Sequence, residues 1–243
     1  DIEDRDPRVK LIRLSQNTGF AAGNNRGVEV ARGEFLVLLN ADTMVTPGWL
    51  HRLRRHLQDD ASIGLVCPVT NHAGNEARVE VTYRDAIEME AFARRRAQAF
   101  NGQRTPIPMV PLFCGALSAA LYREVGGLDE SYGIGMFEDD DFSQRIRLMN
   151  KSIACAEDCF VHHFGQGSFG GLQSDKYEQL FRQNKDIYEA RWKTTWSAHT
   201  PRNDVRPAHA IGKFQPADFT SEWYLMHARS GIFQKIQAEE RSR

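Results

Sequence analysis

Short apolar segments alternate with amphipathic segments along the first third of the chain, and this alternation limits the possible folds more than any other feature. The pattern predicts strands at 9–14, 35–39 and 63–67, a helix over about 21–31, and a second helix from Thr46-Pro47 to about 58. Strand, helix, strand, helix, strand is the order of parallel α/β layers. We therefore predict an α/β fold with a mixed, mostly parallel sheet flanked by helices.

The rest of the chain continues this architecture less regularly. It predicts a helix over 85–100, a turn at 123–127, two short edge strands at 152–154 and 159–161, and a helix over about 174–192. A polar tail follows, with a terminal helix near 223–239. A length of 243 residues suits one α/β domain with a sizeable core. We interpret residues 1–195 as that domain and residues 196–243 as a helical C-terminal tail.

Composition and cysteine usage restrict the setting in which the protein works. A net charge of −1 and the lack of a long basic block argue against broad nucleic-acid binding. No apolar run approaches the ~20 residues that a spanning helix needs. The cysteines include no CxxC pair, which predicts buried free thiols in a reducing compartment. We expect a soluble, cytoplasmic protein, with peripheral contact at the inner face of a membrane as an open alternative.

Two acidic sites stand where apolar or glycine-rich segments give way to polar residues. Asn40-Ala41-Asp42 follows the apolar segment 35–39, and Glu138-Asp139-Asp140-Asp141 follows the glycine-rich segment 128–137. A helix start favoured by its dipole would explain the second site, and a turn would explain the first. However, carboxylates at the ends of buried strands often carry chemistry, and consecutive acids disfavour burial without a positive partner. Together the two sites suggest a cleft that holds a divalent cation and a base.

Four motifs, in order over about residues 9–170, resemble the core of family 2 glycosyltransferases. They are the segments 17–27, 33–42, 125–141 (Val125-Gly126-Gly127-Leu128-Asp129-Glu130 and Phe137-Glu138-Asp139-Asp140-Asp141) and 161–169. The resemblance implies a GT-A fold and inverting transfer of a sugar from a nucleotide-diphosphate sugar, with Mg²⁺ or Mn²⁺. The rhamnosyltransferase-like branch, which acts on bacterial surface polysaccharides, is the most similar. The acceptor would be a saccharide or a lipid-linked glycan.

The resemblance also implies roles for individual residues. Asp42 matches the last acid of the family's Asp-x-Asp motif and should bind the metal, with His163 completing the metal and diphosphate site. Asn40 stands at the first position of that motif, where an amide can still bind a ribose hydroxyl or a water on the metal. Asp139 matches the catalytic base. His162 would point away from the site, because neighbouring side chains of a strand alternate.

The remaining assignments concern the substrates and a loop. Nucleotide and donor binding is assigned to Asn17, Gly19, Asn24, Asn40 and Asp42, and the acceptor and donor-sugar region to Cys114, Gly115, Glu138 and Asp140. Asp141 is interpreted as a helix cap. The glycine-rich loop Gly165–Gly171 is expected to order over bound donor as a lid.

One departure from the family leaves alternatives open. Family members usually begin with two further βα units, and this chain starts at the third strand. The resemblance thus implies N-terminal truncation and an exposed sheet edge, covered by a partner or a missing segment. A non-catalytic domain that serves binding or assembly is the second hypothesis. A nucleotidyltransferase, the third, should show a glycine-rich, basic phosphate loop, and the sequence shows none.

Overall fold

A mixed sheet flanked by helices forms the centre of the computed structural model, which describes residues 6–165 and 174–202. Its strands are β1 (Phe35–Leu39), β2 (Thr43–Val45), β3 (Ile63–Val69), β4 (Arg104–Pro106), β5 (Cys114–Ser118) and β6 (Ser152–His163). The helices are α1 (Phe20–Val30), α2 (Trp49–Asp59), α3 (Ala86–Ala99), α4 (Ala119–Val125), α5 (Glu138–Leu148) and α6 (Ser174–Trp192), with a 3₁₀ turn at Glu130–Tyr132. The α/β class and the flanking helices are confirmed.

The sheet is mixed, as predicted, but the expectation that most of its strands run parallel is wrong. The strand order is β1-β5-β3-β6-β2, and β4 pairs with β6. Only β3 and β6 run parallel in the described residues, whereas β1–β5, β3–β5, β4–β6 and β2–β6 are antiparallel. The reason is that β5, which the pattern of small residues did not reveal as a strand, returns between β1 and β3 in the opposite direction.

The strand predicted at 9–14 is also wrong. This segment belongs to no strand, and its large apolar side chains are 39–47% exposed: Val9, Leu11, Ile12 and Leu14. An apolar pattern forms a strand only where a neighbour offers backbone partners and a covering surface. Among the described residues no strand lies on the outer side of β1, so the sheet edge expected there is present. What covers that edge stays a prediction.

The two short edge strands predicted at 152–154 and 159–161 are in fact one central strand. β6 is twelve residues long and buried along nearly its whole length. Two acids, Glu157 and Asp158, interrupt its apolar pattern and suggested a gap. Each is buried with a partner: Asp158 lies 2.7 Å from His56 Nε2, and Glu157 accepts a hydrogen bond of 2.6 Å from the Thr105 hydroxyl. Paired acids can therefore occupy a buried strand.

Smaller differences follow from position in the sheet. β1 is an edge strand in which Leu36 and Leu38 are buried and Leu39 is exposed. β3 continues past the predicted end at residue 67, because Pro68 lies inside the strand opposite Ala156. α2 begins at Trp49 rather than at Thr46, whose buried hydroxyl instead donates to the carbonyl of Phe160 at 2.6 Å. The boundaries predicted for α6 are confirmed.

The apolar core lies on both faces of the sheet, and a third cluster attaches α6. Tyr132, Phe137 and Tyr188 are buried there, with Phe181 and Trp196 packed against them. The four cysteines are free and buried, as expected. In the described part of the chain, no helix has both the length and the apolar character needed to cross a membrane. The predicted terminal helix and residues 166–171 of the predicted lid lie outside the described residues.

Candidate active site

An open cleft of about 1130 Å³ lies between α1, the ends of β1 and β6, and the start of α5. It brings together predicted site residues that are far apart in sequence: Gly19, Asn24, Asn40, Asp42, Glu138, Asp139 and His163. Four others do not line it, namely Asn17, Cys114, Gly115 and Asp140. The acidic sites at residues 40–42 and 138–139 therefore face one cleft, as the sequence suggested.

The residues outside the cleft have structural surroundings. Asn17 accepts a hydrogen bond of 2.9 Å from the backbone N–H of Gly19 and so shapes the entry to α1. Cys114 is buried in β5, and Gly115 is packed so tightly that a Cβ atom there would come within 2.8 Å of Leu112. Asp140 points away from the cleft towards His199. These residues therefore support the walls of the cleft from behind and do not form its surface.

Pairing of β2 with β6 sets Asp42 beside His163. The register places Thr43 opposite His163, and the N–H of Phe164 donates to the carbonyl of Asp42 at 2.9 Å. Asp42 Oδ2 then lies 3.4 Å from His163 Nε2. This carboxylate oxygen is buried, and no described residue forms a hydrogen bond with it. A buried oxygen without a donor is costly unless a cation or a ligand satisfies it.

The ring of His163 is held with its Nε2 atom towards Asp42, and in the neutral ring this nitrogen carries a lone pair. Its Nδ1 lies 3.0 Å from the carbonyl oxygen of His72, which can only accept, so Nδ1 carries the proton in the neutral ring. The ring stacks on Phe113, with centroids 4.8 Å apart, and Asn71 accepts from the backbone N–H of His163 at 2.8 Å. Histidines that ligate metals usually donate their other N–H in this way.

A divalent cation fits between these two groups. A carboxylate oxygen and an imidazole nitrogen are both common ligands of Mn²⁺ and related metals. No group of three or more histidine, cysteine, aspartate or glutamate side chains that could hold a metal occurs in residues 6–165 and 174–202. The described residues thus supply Asp42 and His163, and the remaining ligands would have to come from elsewhere, such as the phosphates of a bound molecule.

His162 points to the other face of β6, as predicted. Its Nδ1 lies 2.5 Å from the hydroxyl of Tyr83, and the residue is buried. Burial lowers the pKa of His162 to about 4, with a further contribution from the nearby His163 and His72. It is therefore neutral at physiological pH and belongs to the core.

The three consecutive aspartates at the start of α5 point in three directions. Asp139 lines the cleft and accepts a hydrogen bond of 3.1 Å from the N–H of Leu112. Asp140 contacts His199, and Asp141 is fully buried against Arg145 and Trp192. Successive helical residues are rotated by about 100°, so this divergence was expected. The interpretation of Asp141 as the helix cap is wrong, because the cap position is Phe137.

An unusual turn aims Glu138 and Asp139 into the cleft. Met136 and Phe137 have φ angles of 79° and 73°, a region that residues other than glycine rarely adopt. Asn184 of α6 holds this turn, because its side-chain amide donates to the carbonyls of Tyr132 and Gly135 at 2.8 and 2.7 Å. Sequence reasoning missed Asn184, since a lone amide in an amphipathic helix gives no pattern.

The pKa values of both acids that face the cleft are raised. Burial raises the pKa of Asp139 well above its usual value, and the negative charge of Glu138 raises it further, against a smaller opposite effect of the Leu112 N–H. Burial raises the pKa of Glu138 to about 7, with Asp140 contributing and the backbone N–H of Glu138 opposing. The predicted rise in proton affinity of Asp139 is thus confirmed in direction, but burial is its main cause.

We expect Glu138→Gln to stabilise the protein in alkaline but not in acidic solution. Glu138 is 6% exposed, and its raised pKa means that the folded state retains a proton that the unfolded state loses between about pH 4.5 and 7. The free energy of unfolding of the parent protein should therefore fall as pH rises through this window. The glutamine does not titrate and so removes this loss, which is on the order of 2 kcal/mol. Urea unfolding at pH 5 and pH 8 measures it. Exposed Glu124→Gln is the control, and an equal gain at both pH values would contradict the prediction.

Sequence comparison decides the family. The sequence model of the family described as Glycosyl transferase family 2 matches residues 1–126, just over half of the chain. The chain belongs to glycosyl transferase family 2. Its similarity to solved structures agrees: GalNAc-T7, crystallised with UDP, GalNAc and Mn²⁺, aligns with a TM-score of 0.51 at 16% identity. That alignment covers 67% of this chain and 33% of that protein, and it supports the GT-A fold alone.

Curated relatives of this family 2 chain are distant and longer. An uncharacterized protein y4gI of Sinorhizobium fredii is 24% identical over 79% of this chain and 22% of its own length. The succinoglycan biosynthesis protein ExoO of Rhizobium meliloti is 25% identical over 67% of this chain and 47% of its own. The chain thus spans less than half the length of these relatives. The rhamnosyltransferase-like branch and the truncation stay predictions.

Proposed function

We propose that this chain carries the catalytic part of an inverting, metal-dependent glycosyltransferase. It would move a sugar from a nucleotide-diphosphate sugar to a hydroxyl of a saccharide or lipid-linked glycan. The observation that carries the proposal is the pair of facing acceptor atoms on Asp42 and His163, in the same cleft as the half-buried Asp139. The family and the relative in succinoglycan biosynthesis agree with this substrate class.

The cation side of the cleft would bind the leaving group. Mg²⁺ or Mn²⁺ held there would stabilise the negative charge of the departing diphosphate as a Lewis acid. Asp42 and His163 would hold the cation, and the amide of Asn40 would offer a donor and an acceptor to the ribose or the phosphates. Gly19 and Asn24, on the N-terminal turn of α1 in the same cleft, would line the nucleotide side.

The opposite side of the cleft would receive the proton. As the acceptor oxygen bonds to the sugar carbon and the bond to the diphosphate oxygen breaks, Asp139 would take the proton of the acceptor hydroxyl. A base is most effective with a pKa near the working pH, and the raised pKa of Asp139 moves it in that direction. Single displacement with inversion requires no second nucleophilic carboxylate.

The extent of the catalytic unit and its surroundings are part of the proposal. Residues 1–195 would form the catalytic domain, and residues 196–243 the tail. The buried free thiols suit a reducing, cytoplasmic compartment. A partner or a further segment would cover the outer edge of β1, where Leu36, Val37 and Leu39 form an apolar part of the cleft wall.

Loss of cation-dependent nucleotide binding in Asp42→Ala is the result that tests the proposal. Calorimetric titration of Mn²⁺ or Mg²⁺ with UDP, GDP or dTDP should show mutual enhancement of binding in the parent protein. Removing one of the two cation ligands should weaken metal affinity by at least about tenfold, as even outer ligand partners do. Asp59→Ala, an exposed acid of α2, is the matched control. If Asp42→Ala binds metal and nucleotide as the parent does, the assignment fails.

A non-catalytic glycosyltransferase-like domain is the second candidate. The free edge of β1 beside the apolar cleft wall favours it, because a surface of this kind suits assembly with another polypeptide. The discriminating measurement is the release of nucleoside diphosphate from a panel of sugar nucleotides. Binding without release, with acceptor glycans present, would favour this candidate.

A further inference from the structure

A strap of residues 193–202 runs from the end of α6 back to the start of α5. Two of its side chains meet Asp140 at a single carboxylate oxygen. The indole N–H of Trp196 donates to Asp140 Oδ1 at 3.0 Å, and Nε2 of His199 lies 2.7 Å from the same oxygen. All three residues are largely buried or half-buried, so water competes only partly for these bonds.

Trp196 also packs against the residue that begins the helix. Its ring lies 5.0 Å from that of Phe137 and 5.6 Å from that of Phe181, measured between centroids. The backbone N–H of Trp196 is fixed in turn by Glu189 of α6 at 2.8 Å. Because Phe137 immediately precedes Glu138, the strap touches the helix start both at its left-handed cap residue and at Asp140.

The far end of the strap is anchored independently. Arg202 donates to both carboxylate oxygens of Glu157, at 2.5 and 3.0 Å, and to the carbonyl of Glu76 at 2.5 Å. Glu157 belongs to β6, the central strand of the sheet. The strap has no regular secondary structure, but it is attached at both ends. It can therefore hold the start of α5 in a defined position.

The start of α5 needs such support. Left-handed φ angles at Met136 and Phe137 cost free energy and persist only where the surroundings enforce them. Glu138, Asp139 and Asp140 are also consecutive acids whose charges repel one another. The contact with His199 offsets the negative charge of Asp140, which is the residue next to Asp139. The strap is therefore linked to the cleft both through the left-handed turn and through the charge of Asp140.

We propose that Trp196 and His199 are positioning residues that clamp Asp140 and so fix Glu138 and Asp139 in the cleft. Neither side chain would touch substrate; both act through Asp140 and Phe137. This assignment replaces the acceptor or donor-sugar role expected for Asp140. The catalytic consequence rests on the proposed function, whereas the clamp itself does not.

The clamp should be strongest in mildly acidic solution. The hydrogen bond to Asp140 raises the pKa of His199 above 6.5, burial opposes this rise, and Glu76 and Arg147 act on the ring with opposite signs. A raised histidine pKa stabilises the folded state fully below the unfolded value and no longer does so once pH has risen through the folded value. Above it, the neutral ring still donates from Nε2, but without the charge.

The first experiment measures the clamp without any turnover. NMR titration of the His199 ring in the full chain should give a pKa that falls when Asp140 is changed to Asn. Carboxyl titration of Glu138 and Asp139 should shift in His199→Ala and not in His51→Gln, a control on exposed His51 of α2. If the His199 pKa is the same in Asp140→Asn, or the titrations of Glu138 and Asp139 do not move, the clamp is overturned.

The second experiment measures its effect on transfer. Trp196→Phe keeps the ring packing but loses the N–H, and His199→Gln keeps a donor but loses the charge. We expect His199→Ala to lower kcat by roughly 10- to 100-fold with an unchanged KM for donor, as for a displaced catalytic group, and His199→Gln to recover part of it. Unchanged kcat in His199→Ala and Trp196→Phe would overturn the positioning role. An inactive parent protein with an intact clamp would instead count against the proposed function.

Discussion

Asp139→Asn is expected to lower the rate of sugar transfer by ~100-fold or more while leaving donor affinity nearly unchanged. The asparagine keeps the size of the side chain and can still accept from the N–H of Leu112. It loses the ability to take a proton from the acceptor hydroxyl. The change therefore removes the base and leaves the cation side of the cleft, at Asp42 and His163, as it was.

Steady-state kinetics of sugar transfer would measure this result, with donor binding followed separately by calorimetry. The rate of the parent should also rise with pH through the raised pKa of Asp139, rather than levelling off near the ordinary value of 3.8. Normal turnover in Asp139→Asn would exclude Asp139 as the base. If neither Asp139→Asn nor Asp42→Ala affects turnover, the cleft is not catalytic and the binding-domain candidate stands.

The parts of the site that could be predicted from sequence are those with a local signature. Asn40-Ala41-Asp42 follows an apolar segment, and His163 ends another, so each could be placed at the end of a strand. The pairing of β2 with β6 then brings Asp42 and His163 together, as the resemblance to the family had implied. The opposite directions of His162 and His163 followed from the alternation of strand side chains.

The parts that could not be predicted depend on long-range partners. The family resemblance selected Asp139 among three aspartates that are alike in sequence, but the partners of the other two could not be predicted, because Asp140 contacts the strap and Asp141 contacts α6. β6 was divided in two because Arg96, Arg202 and Thr105, which pair with Glu157, lie far away along the chain. The strand predicted at 9–14 was wrong for the opposite reason: its pattern is apolar, but no strand lies beside it among the described residues.

Asp141→Asn should act on stability, in contrast to Asp139→Asn. Asp141 is completely buried and accepts hydrogen bonds from Arg145 at 2.7 Å, Arg191 at 2.9 Å and the indole of Trp192 at 3.1 Å. The bonds from Arg191 and Trp192 join α5 to α6, whereas the bond from Arg145 lies within α5. The asparagine leaves the Arg145 guanidinium, which is 20% exposed, without its counter-charge, and breaking a buried pair in this way costs about 3 kcal/mol or more. Arg191 is 39% exposed, so water compensates much of its own loss.

Urea unfolding monitored by circular dichroism should show a lower midpoint for Asp141→Asn with an unchanged slope. The matched control is Glu178→Gln on α6, which removes an exposed ion pair with Arg182 and should cost less than about 1 kcal/mol. Where Asp141→Asn remains folded, it should retain donor binding and most of its turnover, because its side chain faces α6 and not the cleft. If Asp139→Asn retains normal turnover while a stable Asp141→Asn loses it, the roles are reversed and Asp141 is the base.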